Sequence, residues 1–195
     1  MQYRTLGHSD VKVTPIAFGS WAIGGWLWGG AEVSEAVKAV RQSYDLGITT
    51  FDTAPVYGFG RSEELIAEAL KGIPREHYQI LTKYGLDWTS ETGEFYFDTI
   101  SNEGNPVKIY RNARPDRVIR ECEDSLRRLR TDYIDLLQVH WYDSTTPIAD
   151  TMGAVSRLIE QGKVRAAGVC NYSVDNVNEA LKALPIVSNQ VPFSM

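Results

Sequence analysis

Asp52, Tyr57, Lys83 and His140 offer a carboxylate, a phenol, an ammonium and an imidazole, and each stands where a short apolar run gives way to a loop. The segments are Phe51-Asp52-Thr53-Ala54-Pro55-Val56-Tyr57-Gly58, Ile80-Leu81-Thr82-Lys83-Tyr84 and Leu136-Leu137-Gln138-Val139-His140. Such a set suits the reduction of a carbonyl, which needs a hydride on carbon and a proton on oxygen. A phenol with a pKa of ~10 is a reluctant acid at neutral pH. An ammonium within ~4–6 Å stabilises the phenolate and lowers that value, toward the range useful in general acid–base catalysis. Lys83 is expected to act on Tyr57 in this way, with Asp52 holding Lys83 charged and oriented. His140 is expected to hydrogen-bond the substrate oxygen. Singly, each has a plainer reading: a turn carboxylate, a loop aromatic, a lysine snorkelling from a strand end, a satisfied rim histidine. Their joint occurrence on successive strand ends favours the chemical one.

Bringing four such groups to one rim requires parallel, neighbouring strands. Candidate strands begin near Ile16, Ile48, Tyr78, Tyr133, Val164 and Ile186, with amphipathic helical segments between them. Ser34 and Ser62 are expected to cap the first two helices, Pro115 to open the third, Gly162 to close the fourth and Ser173 to open the fifth. Alternation of this kind argues a parallel sheet with crossover helices, here an α/β fold of the (β/α)₈ barrel type. In such a barrel, polar residues at the C-terminal ends of strands read as catalytic. Residues 2–15 read as a small N-terminal hairpin plugging the barrel's bottom. Residues 84–114 show no sustained period and read as a structureless loop lying over the site. About six βα units fill the 195 residues, whereas a whole barrel takes ~250. The expectation is one barrel domain over 1–195, incomplete after its sixth strand.

At 43% hydrophobic and 23% charged, the composition is that of an ordinary globular protein with material for a large core. The formal net charge of −5 gives no electrostatic basis for binding nucleic acid or an anionic membrane. No apolar run approaches the ~18 residues that span a bilayer, and the first residues lack the apolar segment of a signal peptide. Cys122 and Cys170 form neither a disulfide framework nor a CxxC metal pair. Cytoplasmic location, without a metal, is therefore expected. Gly58-Phe59-Gly60 invites a phosphate-loop reading but fails GxGxxG, because position 63 is Glu.

Phe51-Asp52-Thr53-Ala54 with Tyr57-Gly58, then Thr82-Lys83, then Tyr133-Ile134-Asp135-Leu136-Leu137 leading to His140, resembles the aldo-keto reductase superfamily. Gly168-Val169-Cys170-Asn171-Tyr172 looks like that family's Gly-Val-Ser-Asn-Phe segment. Gly19-Ser20-Trp21-Ala22-Ile23-Gly24-Gly25 and Tyr57-Gly58-Phe59-Gly60-Arg61-Ser62-Glu63-Glu64 are similar to the bacterial general-stress type. The resemblance covers essentially the whole chain. It implies NADPH-dependent interconversion of carbonyls and alcohols without metal, in a stress-response setting. The same four residues take the catalytic roles. It further implies cofactor contacts from Ser20, Trp21, Asp52, Cys170, Asn171 and Gln190. Cys170 departs from the usual serine, so a hydroxyl contact becomes a weak thiol contact. The family's loops for pyrophosphate, 2′-phosphate and adenine follow its last two strands, so these 195 residues are expected to be inactive alone.

Trp21, Trp28, Trp88 and Trp141 fall in strand-to-helix loops and are expected to wall a pocket for an apolar or aromatic carbonyl. Two other functions stay in view. One is a regulatory or binding subunit without turnover, like the channel subunits built on this barrel. The other is a hydrolase using Cys170 as nucleophile with His140, for which no orienting acid is evident.

Overall fold

The computed structural model describes residues 2–193. Among these, eleven strands and five α-helices follow one another along the chain. Strands β1 (Arg4–Thr5) and β2 (Lys12–Val13) form an antiparallel hairpin. Strands β3 (Phe18–Gly19), β4 (Thr50–Asp52) and β5 (Gln79–Tyr84) come next in the main sheet. Its last three members are β9 (Ile134–Val139), β10 (Val164–Cys170) and β11 (Ile186–Gln190). They lie in the order β11-β10-β9-β5-β4-β3, all parallel. Helices α1 (Val33–Asp45), α2 (Arg61–Ala69), α3 (Pro115–Leu129), α4 (Ile148–Glu160) and α5 (Val174–Ala183) are the crossovers. The sheet curls into a partial (β/α)₈ barrel. No helix among the described residues is long and apolar enough to cross a membrane.

The core lies between sheet and helices, where Phe51, Ile80, Ile134, Leu137 and Val139 meet Ile66, Val118, Met152 and Leu158. Strand β9 is buried at all six positions, as a strand covered on both faces must be. Its Asp135 is tolerated because its carboxylate accepts hydrogen bonds from Ile80 N, Arg75 and Arg165. At that lower end, Val11 and Val13 of the hairpin pack on Leu136 and Ala166.

The helix ends differ in part from expectation. Pro115 opens α3, Gly162 follows the end of α4 at φ 72°, and the Ser173 hydroxyl accepts from Asn176 N at α5. Helix α1, however, is entered from Glu32, leaving Ser34 inside its first turn. Helix α2 is entered from Gly60, and the Ser62 hydroxyl bonds the Ser20 carbonyl oxygen and hydroxyl instead of capping.

The larger correction concerns residues 84–114. They fold into a three-stranded antiparallel sheet of β6 (Leu86–Asp87), β7 (Glu94–Ile100) and β8 (Pro106–Arg111), ordered β6-β8-β7. Its register shifts between Phe95 and Phe97, so the two-residue alternation that marks a strand is broken by a bulge. Asn102 Nδ2 donates to the Gly24 carbonyl at 2.9 Å and Trp26 Nε1 to Thr99 Oγ1 at 3.0 Å. The excursion is thus a braced sheet over the barrel's upper rim.

Candidate active site

Three of the four tetrad residues are delivered by the ends of parallel strands. Asp52 ends β4, Lys83 is the penultimate residue of β5, and His140 follows β9, its N–H bonded to the Tyr84 carbonyl at 2.9 Å. Tyr57 lies in the turn after β4, where Gly24 and Gly58 meet backbone to backbone. A Cβ on Gly58 would overlap the Gly24 carbonyl, and one on Gly24 would overlap the Tyr57 carbonyl. Two missing side chains therefore let the Tyr57 turn dock.

Lys83 Nζ donates to Asp52 Oδ1 at 2.8 Å and to the Thr53 carbonyl at 3.0 Å. The ammonium stands 5.2 Å from the Tyr57 ring centroid, and the His140 ring lies edge-on to that ring at 5.7 Å. Tyr57, Lys83 and His140 open on one cavity of about 410 Å³. Trp21 stacks on Tyr57 with its centroid 5.7 Å away.

Three environments set the charges. Burial would push the Lys83 ammonium down, but the acidic neighbours, Asp52 foremost, hold it above its usual 10.5. Burial, aided by the Lys83 charge, drives His140 well below 6.5, so it is neutral. Tyr57 differs from the expectation. Burial raises its phenol above 10.0, and the opposing pull of Lys83 does not overcome this. The residue is a fully protonated phenol beside a fixed cation. An acid that must keep its proton until an alkoxide forms needs that state, and the cation then stabilises the phenolate.

The cofactor candidates divide. Trp21, Cys170, Asn171 and Gln190 line the cavity. Gln190 Nε2 reaches Asp52 Oδ2 at 3.3 Å, and its Oε1 faces Cys170 Sγ at 3.5 Å. Asn171 adopts φ 58° and gives one amide hydrogen to the His140 carbonyl at 3.2 Å. That leaves amide donors and acceptors on the wall, the chemistry that a nicotinamide carboxamide matches. Ser20 does not join them. It is fully buried, and its hydroxyl donates to the Asp52 carbonyl at 2.8 Å, which makes it a brace beneath the site. The Cys170 thiol is pushed up to about 12, mainly by burial, which weakens it as a nucleophile.

Of the expected tryptophan walls, Trp21 and Trp141 line the cavity. Trp28 is exposed with its ring against Trp21, and Trp88 packs on Phe59 beside a separate depression. The cavity instead gains Trp26 and, from the β6–β8 sheet, Leu86, Tyr96 and Phe97. The bulge that sends Tyr96 and Phe97 toward one cavity is what hid them from a reading by alternation.

The sequence model of the Aldo/keto reductase family matches residues 15–195. The chain belongs to that family. The aldo-keto reductase YhdN of Bacillus subtilis is 37% identical over 100% of this chain and 54% of its own length. The NADH-specific methylglyoxal reductase of Escherichia coli is 35% identical over 91% of this chain and 54% of its own. Among solved structures, the glycerol dehydrogenase AKR11B4 of Gluconobacter oxydans superposes with a TM-score of 0.83 at 38% identity. That match covers 98% of this chain and 55% of that one. This aldo/keto reductase chain thus spans about half the length of the relatives it matches.

Proposed function

We propose that the protein reduces aldehydes or ketones to alcohols, with Tyr57 giving the proton and a nicotinamide cofactor, NADPH in our reading, giving the hydride. One observation carries this: a protonated phenol, an ammonium locked to a carboxylate and a neutral imidazole border one aromatic cavity. Asn171 and Gln190 would hold the nicotinamide carboxamide, with Trp21 beside them. The cofactor supplies hydride chemistry when bound.

The chain's own residues do the rest. His140, neutral, offers an N–H to the carbonyl oxygen and polarises it without competing as an acid. As negative charge gathers on that oxygen, Tyr57 transfers its proton, and the phenolate left behind is stabilised by Lys83. Asp52 keeps Lys83 in place and charged throughout. The aromatic walls exclude water that would hydrate the carbonyl and weaken each of these electrostatic interactions. Cytoplasmic location and a stress-linked role belong to the same proposal, supported by the general-stress-type segments alone. A turnover-free binding role is less well supported, since nothing about that role calls for a locked Lys83–Asp52 pair beside a phenol.

Tyr57→Phe tests the assignment. General acid catalysis contributes about 10²- to 10⁴-fold, so the variant should lose that much kcat while binding cofactor with unchanged affinity. Retained turnover would remove Tyr57 from its role. Titrating the 195-residue chain with each nicotinamide cofactor tests the finer claims. Micromolar binding overturns the expected inactivity of the chain alone, and a preference for NADH overturns the choice of NADPH.

A further inference from the structure

Tyr96, Phe97 and Trp141 form one wall of the cavity, and Arg111, at the end of β8, lies behind it without lining it. Its guanidinium carbon is 4.0 Å from the Tyr96 ring centroid and 5.7 Å from that of Trp141. Its Nη1 pairs with Glu94 Oε1 at 3.0 Å. The other Glu94 oxygen accepts from Ser144 N at 3.2 Å and Ser144 Oγ at 2.9 Å. Ser144 lies on the loop that carries His140 and Trp141, so a Ser144–Glu94–Arg111 clasp ties that loop to the β6–β8 sheet. The buried Arg111 Nε has no hydrogen-bond partner among the described residues. Hydrogen bonding alone therefore does not account for the guanidinium's placement, whereas the two rings do. A planar, weakly hydrated cation stacks well on aromatic faces.

We propose that Arg111 is a positioning residue that makes the site selective for aryl and other flat apolar carbonyl compounds, by fixing Tyr96 and Trp141 as a preset wall. The proposal rests on the carbonyl-reductase reading and names its substrate class. The two rings touch, with centroids 5.7 Å apart at 50°, so together they present one continuous aromatic face against which a flat ring can lie. Setting them before the ligand arrives removes an ordering cost from binding. A short aliphatic aldehyde, with no ring to lay on that wall, gains nothing from it.

Three variants test this: Arg111→Met, which keeps an apolar stem, Arg111→Lys, which keeps charge without the plane, and Glu94→Gln, which loosens the clasp. Benzamide and acetamide serve as non-reducible probes, titrated by tryptophan fluorescence, alongside kcat and KM for benzaldehyde and propanal in the protein supplied with its nicotinamide cofactor. Without the guanidinium behind the rings, Arg111→Met should weaken benzamide binding and raise the benzaldehyde KM about three- to tenfold. Its kcat and its propanal KM should not move. Arg111→Lys should recover part of the deficit, and Glu94→Gln should shift benzamide in the same direction by less. Equal shifts for aryl and aliphatic compounds, or none, overturn the proposal. Should Arg111→Met show no melting transition, Glu94→Gln decides, and unchanged benzamide affinity there overturns it. Aryl-selective binding without turnover in the wild type would sustain this wall and sink the reductase reading. Turnover without aryl selectivity would do the reverse.

Discussion

Replacing Asp52 by Asn leaves the Lys83 ammonium 3% exposed with its counter-charge gone and the Thr53 carbonyl, 3.0 Å away, as remaining acceptor. Breaking a buried ion pair by removing one partner costs about 3–5 kcal/mol. The Asp52 side chain is 14% exposed and already meets Gln190 Nε2 at its outer oxygen, which places the loss at the lower end, about 3 kcal/mol. With a urea m-value of about 2 kcal/mol/M, the unfolding midpoint should drop by about 1.5 M. Lys83→Met should cost less, about 1 kcal/mol, because the stranded carboxylate has an edge open to water. The double variant removes both charges and should lie within about 1 kcal/mol of wild type. Far-ultraviolet circular dichroism in urea gives all four corners of this cycle. Losses that simply add would refute the claim that the two charges are held by each other. The raised Lys83 pKa fixes the pH window. Its contribution is fully present below the ordinary 10.5 and fades only as pH climbs through the higher folded-state value. The Asp52→Asn deficit should therefore be the same at neutral and mildly alkaline pH.

Two further outcomes follow from the same charges. Because His140 is held well below 6.5, the unfolded chain takes up a proton there that the folded chain refuses, so stability should fall as pH drops below 6.5. His140→Gln should lessen that fall, and urea midpoints at neutral and acidic pH that decline in parallel would place the effect elsewhere. Cys122 and Cys170, both pushed up to about 12 mainly by burial, should resist iodoacetamide in the native state and react once unfolded, as followed by intact mass. Rapid native labelling of Cys170 would reopen its reading as a nucleophile.

The parallel strands and crossover helices were legible because each apolar run ends at a chemically distinct residue and each helix carries a regular stripe. The positions of Asp52, Lys83 and His140 were legible for the same reason, since residues at a strand's end are placed by the ladder, whereas Tyr57, in the turn after β4, was legible only through its surrounding segment. Residues 84–114 were not. The shift between Phe95 and Phe97 breaks the alternation, and β7 is nowhere fully buried, so no apolar face announced itself. The cavity walls this segment supplies, Leu86, Tyr96 and Phe97, are illegible for the same reason. Ser34 and Ser62 misled because a hydroxyl near a helix start satisfies capping rules on paper, while Ser62 had a buried partner in Ser20, distant along the chain. The direction of the Tyr57 shift is not legible in sequence, which shows the neighbouring cation but not the depth of burial that outweighs it.

The facing glycines Gly24 and Gly58 have a consequence for anyone diversifying this protein. Randomised libraries that hold the four chemical groups constant yet vary these two positions should displace the tyrosine, because a side chain at either one overlaps backbone across the seam. A transplant of the tetrad onto another scaffold would need to copy that side-chain-free seam as well. The proposed chemistry depends as much on atoms withheld here as on atoms supplied.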